Sequence, residues 1–176
     1  MRQALTLHPD FRCDAVRRIA VDIARPRPDV LALRYELTGD AAGLVLPPPA
    51  APARTDELWR HTCFEAFALD PGGAAYTEVN LAPSTRWAAY RFDAYREGMR
   101  PADMPPPAIA FRRTDDGLHL SAELALADAP FRLGLSAVIE EAGGRISYWA
   151  LAHPPGRPDF HHADCFALQL TATGDA

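Results

Sequence analysis

Cys63-Phe64-Glu65-Ala66-Phe67-Ala68-Leu69 and Tyr76-Thr77-Glu78-Val79-Asn80-Leu81 decide the fold, with Asp70-Pro71-Gly72-Gly73-Ala74-Ala75 between them. Side-chain character in both runs follows a period of two, and Pro-Gly-Gly is a turn signal, so the stretch reads as an antiparallel hairpin. A pleated strand sends alternate side chains to opposite faces, so Cys63, Glu65 and Phe67 share a side. On the neighbouring strand Thr77, Val79 and Leu81 share one side, and Tyr76, Glu78 and Asn80 the other. A loop over 70–75 sets Leu69 opposite Tyr76, Phe67 opposite Glu78 and Glu65 opposite Asn80. A one-residue slip would exchange the faces of one strand.

The same alternation recurs outward from this hairpin. Upstream, Ile19, Val21 and Ile23 alternate with Ala20, Asp22 and Ala24. Leu31, Leu33, Tyr35 and Leu37 do the same after the turn signal Pro26-Arg27-Pro28-Asp29. Residues 39–58 are rich in Gly, Ala and Pro and read as a crossing loop, ending in a single helical turn at Thr55–Trp59 capped by Thr55 or Asp56. Downstream, strands are predicted over 86–93, 109–113, 118–126, 133–140, 145–151 and 165–171. Thr114-Asp115-Asp116-Gly117 and Glu141-Ala142-Gly143-Gly144 mark two further hairpins. Nine or ten short strands with little helix predict an all-β, antiparallel β-sandwich, with 1–176 as a single domain.

Composition agrees and narrows the function. The chain of 176 residues is 48% apolar and 23% charged, ordinary for a globular protein with a buried core. Its 17 prolines cluster in runs such as Pro47-Pro48-Pro49 and Pro105-Pro106-Pro107, which suit stiff loops between strands. A net charge of −5, with arginines interleaved among acids, offers no basic stripe for nucleic acid and no pull toward anionic lipid. No apolar run approaches the roughly 20 residues that span a bilayer. Met1–Asp14 lacks the pattern of a secretory leader, so a cytoplasmic address is expected. Cys13, Cys63 and Cys165 are odd in number and without CxxC spacing, and read as free thiols.

The polar residues of the opening hairpin point to binding. Glu65, Glu78 and Asn80 would stand on one face beside Phe67 and Tyr76. A face that mixes carboxyls, an amide and rings makes a poor core layer, because buried unpaired charge is costly. It suits a polyhydroxylated ligand, whose hydroxyls meet carboxyls and amides while rings cover its apolar faces. The competing reading is a solvated outer sheet face with no role. Among the tryptophans Trp87 reads as core, and Trp59, just before a strand, as an exposed stacking platform. His153, His161, His162 and Asp164 cluster near the C-terminus. Adjacent His161 and His162 point apart in an extended chain, and no second spaced pair completes a zinc site, so no metal or cofactor is assigned.

Several motifs, in order, resemble the bacterial DOMON-like proteins related to carbohydrate-binding module family 9. They are Leu58-Trp59-Arg60-His61-Thr62-Cys63-Phe64-Glu65-Ala66-Phe67, Glu78-Val79-Asn80-Leu81-Ala82-Pro83-Ser84, Trp87-Ala88-Ala89-Tyr90-Arg91-Phe92-Asp93, Tyr95-Arg96-Glu97-Gly98-Met99-Arg100 and Pro158–Phe166. The resemblance spans most of the chain from about residue 15 and implies a β-sandwich. It also implies a sugar held between two rings, with a carboxylate and an arginine on its hydroxyls. Trp59, Glu65 and Arg86 match the first ring, the carboxylate and the arginine. Trp149, Phe160 and His161 are candidates for the second ring.

The leading expectation is a non-catalytic binding module for a sugar-like or other small polar ligand, lined by Trp59, Glu65, Glu78, Asn80, Arg86, Trp149 and His161. One alternative is a glycoside-active enzyme using Glu65 and Glu78, if they lie near the ~5–5.5 Å of a retaining pair. Another is haem or metal binding through His153, His161, His162 or Met99, as in a haem-binding DOMON branch.

Overall fold

The structure, a computed structural model, describes residues 1–173. Twelve strands run through them: β1 (Arg2–Leu7), β2 (Val16–Arg27), β3 (Val30–Gly39), β4 (Cys63–Leu69), β5 (Tyr76–Leu81), β6 (Trp87–Phe92), β7 (Arg100–Pro101), β8 (Ala108–Thr114), β9 (Gly117–Ala125), β10 (Phe131–Glu140), β11 (Ile146–Ala150) and β12 (Leu168–Leu170). Every pairing between them is antiparallel. Among the described residues helix is confined to three single 3-10 turns. None of the described helices is long and apolar enough to cross a membrane.

The strand order is β7-β6-β5-β4-β10-β11-β1-β2-β3-β9-β8, with β12 also on β10. β1 joins the two halves of this path. Its residues Arg2–Leu5 pair with β2, and Thr6 and Leu7 pair with β11. The ribbon therefore curls back on itself, sandwich- or barrel-like, around one shared core. Parity fixes which residues enter that core. Ile19, Val21 and Ile23 of β2, Leu31, Leu33, Tyr35 and Leu37 of β3, and Leu118, Leu120 and Leu124 of β9 line one wall. Phe64 and Ala66 of β4, Val79 and Leu81 of β5, Trp87 of β6, and Leu133, Leu135 and Ile139 of β10 line the other. Tyr35 crosses between them, its ring tilted against Phe64, and its buried hydroxyl donates to the backbone carbonyl of Glu65 at 2.7 Å. A hydroxyl this deep needs such an acceptor, since an unmade hydrogen bond costs more than a made one gains.

The opposite face of the β4-side wall is also covered. β11 stops at Ala150, the chain leaves the sheet, and β12 rejoins it beside Phe131–Leu133 of β10. The excursion between them folds over the outer face and buries Phe160, Cys165 and Phe166 against Phe67, Tyr76, Tyr90 and Phe92. Gly134 permits the close approach: a Cβ there would come within 2.6 Å of Phe166 Cδ1 and 3.2 Å of the Cys165 carbonyl. Arg132 pins the same flap by donating to the carbonyls of Phe166 and Ala163, each at 2.9 Å.

Several expectations shift. The strand predicted over 165–171 shortens to β12, because Ala163–Cys165 is a 3-10 turn capped by the His162 side chain. The helical turn expected at Thr55–Trp59 is a 3-10 turn at Leu58–Arg60. Glu57 precedes it at φ 62°, without a side-chain cap, and Asp56 instead accepts from the Tyr90 hydroxyl. β2 runs on through Pro26, where the pairing is irregular between Ala24 and Arg27; a bulge is one of the few strand positions that tolerates proline. β1 and β7 add to the nine or ten expected strands. Apart from Leu5, β1 has no fully buried residue, so its sequence carries little alternation.

Candidate functional site

The β4–β5 hairpin has the expected register: Leu69 faces Tyr76, Phe67 faces Glu78 and Glu65 faces Asn80. Its polar face is the outer face of the β4-side wall, under the flap. There the flap does not close fully, and a cavity of about 580 Å³ remains, a size typical of small-molecule sites. Glu65, Glu78, Tyr90, Val138 and Tyr148 form its floor; Trp59 and Arg60, with Arg96 and Met99, stand at its rim; Phe160 and His161 reach in from the flap.

The two carboxyls are the unusual feature. Glu65 is 3% exposed and Glu78 5%, so neither belongs to a solvated sheet face. They are diagonal neighbours across β4 and β5, which puts them roughly 7–8 Å apart at the backbone. Ser136, opposite Glu65 on β10, donates to Glu65 Oε2 at 2.9 Å. Asn80 Nδ2 donates to Glu78 Oε1 at 2.6 Å. Burial, and then the charge of Glu78, push Glu65 up to about 8, against the Ser136 hydrogen bond. Burial also lifts Glu78 to about 6, against the Asn80 hydrogen bond and nearby Arg96. Desolvation dominates in both, as it does for any acid removed from water without a full counter-charge. The pair therefore retains a proton near neutral pH.

His161 closes one side of the floor. Its ring sits edge-on among Phe67, Tyr76 and Phe92, with centroids 5.4, 5.8 and 5.2 Å away. The Arg96 backbone N–H donates to the Tyr76 oxygen at 3.2 Å, and the Tyr76 hydroxyl and His161 Nδ1 share a hydrogen bond of 2.7 Å. His161 Nε2 lies 3.8 Å from Glu78 Oε2. Burial, with help from Arg96, pushes this histidine down to about 4, so it is neutral at physiological pH. Arg96 takes a left-handed backbone (φ 56°), and its guanidinium is tied to Asp159 of the flap at 2.8 Å. Tyr95 donates to the same carboxylate.

Trp59 is 45% exposed, the only tryptophan open to solvent. Tyr90 holds the segment before it through Asp56 at 2.7 Å, and Arg60 lies over its ring at 5.3 Å. The structure thus brings Trp59, Glu65, Glu78 and His161 to one cavity, with Asn80 fully buried behind Glu78. Two expected residues do not join them. Trp149 is on the inner face of β11, in the shared core, with its indole N–H on Ser147 Oγ at 3.1 Å. Arg86 lies in the turn between β5 and β6, where its backbone carbonyl accepts from Ala82 N–H, and its side chain is exposed and outside the cavity lining. The cations at the rim are Arg60 and Arg96, the latter ten residues on from Arg86, and Tyr148, next to Trp149, faces the cavity. Parity in the β10–β11 hairpin separates those two neighbours. The histidines named for metal binding are each engaged elsewhere: His153 Nε2 on the Thr6 carbonyl, His161 on Tyr76, and His162 Nδ1 accepting from Asp164 N–H.

No family model and no curated protein matches this chain. The fold does match a crystal structure of a candidate carbohydrate-binding protein from Bacteroides uniformis ATCC 8492. The TM-score is 0.68 at 13% identity, over 94% of this chain and 83% of the other. At that identity the likeness is one of fold.

Proposed function

We propose that this protein is a binding module that holds a small polar ligand of the sugar class in the cavity beneath the flap, without transforming it. One observation carries the reading. Two carboxyls more than nine-tenths buried, each fixed by a neutral donor, share a cavity of about 580 Å³ with an exposed indole and several further rings. Carboxyl oxygens grip hydroxyls, and aromatic faces cover the apolar side of a sugar ring. The floor is rigid β-sheet and the donors are prepositioned, so little ordering accompanies binding. The B. uniformis likeness in fold, with that protein's candidate carbohydrate binding, supports the same reading. A relation to DOMON-like proteins and carbohydrate-binding module family 9 is part of the proposal, with Trp59 and Glu65 in the matching roles and Arg96, rather than Arg86, supplying the cation. A thermal-shift screen of monosaccharides and disaccharides tests it. Saturable stabilisation by at least one sugar, lost in Trp59→Ala, is expected; no shift with any of them removes the proposal.

A second reading has one observation in its favour: burial raises Glu65 and Glu78 unequally, the arrangement from which a glycosidase draws its acid and its base. A panel of chromogenic glycosides separates the two. Turnover that disappears in both Glu65→Gln and Glu78→Gln would make the protein an enzyme.

A further inference from the structure

Among the described residues no arginine bonds to either carboxyl of the cavity floor. Each carboxyl has one oxygen in use: Ser136 donates to Glu65 Oε2, and Asn80 donates to Glu78 Oε1. Glu65 Oε1 and Glu78 Oε2 accept from no donor among the described residues, and both side chains line the cavity. The positive groups nearby are committed elsewhere. Arg96 is bound to Asp159, and Arg60 to Glu57 at 2.7 Å. His161 faces Glu78 but is neutral, since burial holds its protonation far below physiological pH. The remaining titratable neighbours, Tyr90, Tyr76 and Cys63, are held protonated by burial and add no positive charge. A buried carboxylate without a partner is costly.

Resting on the sugar-binding reading of the same site, we infer that the preferred ligand carries a cationic amine beside its hydroxyls, as an amino sugar does, and that the ammonium sits against Glu65 Oε1 and Glu78 Oε2. An ammonium offers three donors and no acceptor, which matches two free carboxyl oxygens better than a hydroxyl does. A surrounding ring assists. Tyr90 pairs directly with Glu78 across β5 and β6, so the cation meets an aromatic ring as well as carboxylates. The bound ammonium favours the ionised pair, so binding expels the proton the two acids share. Affinity therefore rises with pH as the pair ionises, until the amine itself loses its proton.

The experiment is isothermal titration calorimetry of the full chain with D-glucosamine, D-glucose and N-acetyl-D-glucosamine, in buffers of differing ionisation enthalpy. Glucosamine is expected to bind roughly tenfold tighter than glucose, one charge-assisted hydrogen bond's worth. Proton release should accompany it, and the N-acetyl form, which lacks the charge, should fall to the glucose level. Glu78→Gln and, independently, Glu65→Gln should each bring glucosamine down to an affinity no better than that variant shows for glucose. Equal affinity for glucosamine and glucose, or binding without proton release, overturns the amine inference and leaves the sugar site standing. Silence with all three sugars overturns both.

Discussion

Replacing Glu65 with Gln should stabilise this protein, and by an amount that depends on pH. The carboxyl is buried with one hydrogen bond from Ser136 and no cation in contact, and burial lifts it from 4.5 to about 8. An acid raised in the folded state contributes its full stability below the unfolded value near 4.5, and that contribution drains away as pH climbs toward the folded one. Between pH 5 and pH 8.5 the loss comes to about 4 kcal/mol for this group. Glutamine has the shape of the protonated acid and cannot ionise. Its carbonyl can take the Ser136 hydrogen bond, and its amide can face the cavity. The variant should therefore match the parent within about 1 kcal/mol at pH 5 and exceed it by several kcal/mol at pH 8.5. Urea unfolding followed by far-ultraviolet circular dichroism at the two pH values measures this, provided the slope against denaturant is unchanged. A gain of equal size at both pH values, or a loss at pH 8.5, would refute the argument. The gain expected at pH 8.5 is also what a binding site predicts, because groups kept for a ligand are often unfavourable without it.

Two other substitutions probe the flap and the histidine. Gly134→Ala forces a methyl group onto Phe166 and should cost about 1–3 kcal/mol of stability, the usual penalty for overpacking, as read by thermal denaturation. Tyr76→Phe strands the Arg96 N–H and His161 Nδ1 at once and should cost about 1–3 kcal/mol. It should also free the His161 ring to turn, seen as a change in its imidazole NMR signals.

Much of the site was legible because period-two alternation and a Pro-Gly-Gly turn are local signals. They set Glu65 against Asn80 and Glu78 against Phe67, and every later feature of the floor follows from that register. Trp59 was legible for a similar reason, as a large ring just outside a strand. Trp149 was misplaced because a tryptophan suits a core wall as well as a stacking platform. Only parity through the Glu141–Gly144 turn, which sets Trp149 opposite Ala137, assigns it to the core. Arg96 carried no periodic signal, since it stands in a tight turn, and its link to Asp159 spans 63 residues. The burial of the two glutamates depends on the flap. That flap returns to the sheet as β12 only after a long irregular stretch, and such a path leaves no trace in local pattern.

Trp59 offers the most direct check on the site, because the chain holds three tryptophans and therefore three indole N–H signals. Trp87 and Trp149 are packed in the core and serve as internal references. In a two-dimensional NMR titration with glucosamine or glucose, the Trp59 signal should move saturably while the other two hold still. Three unmoved signals at high sugar concentration, or a shift confined to Trp87 or Trp149, would contradict ligand binding beneath the flap.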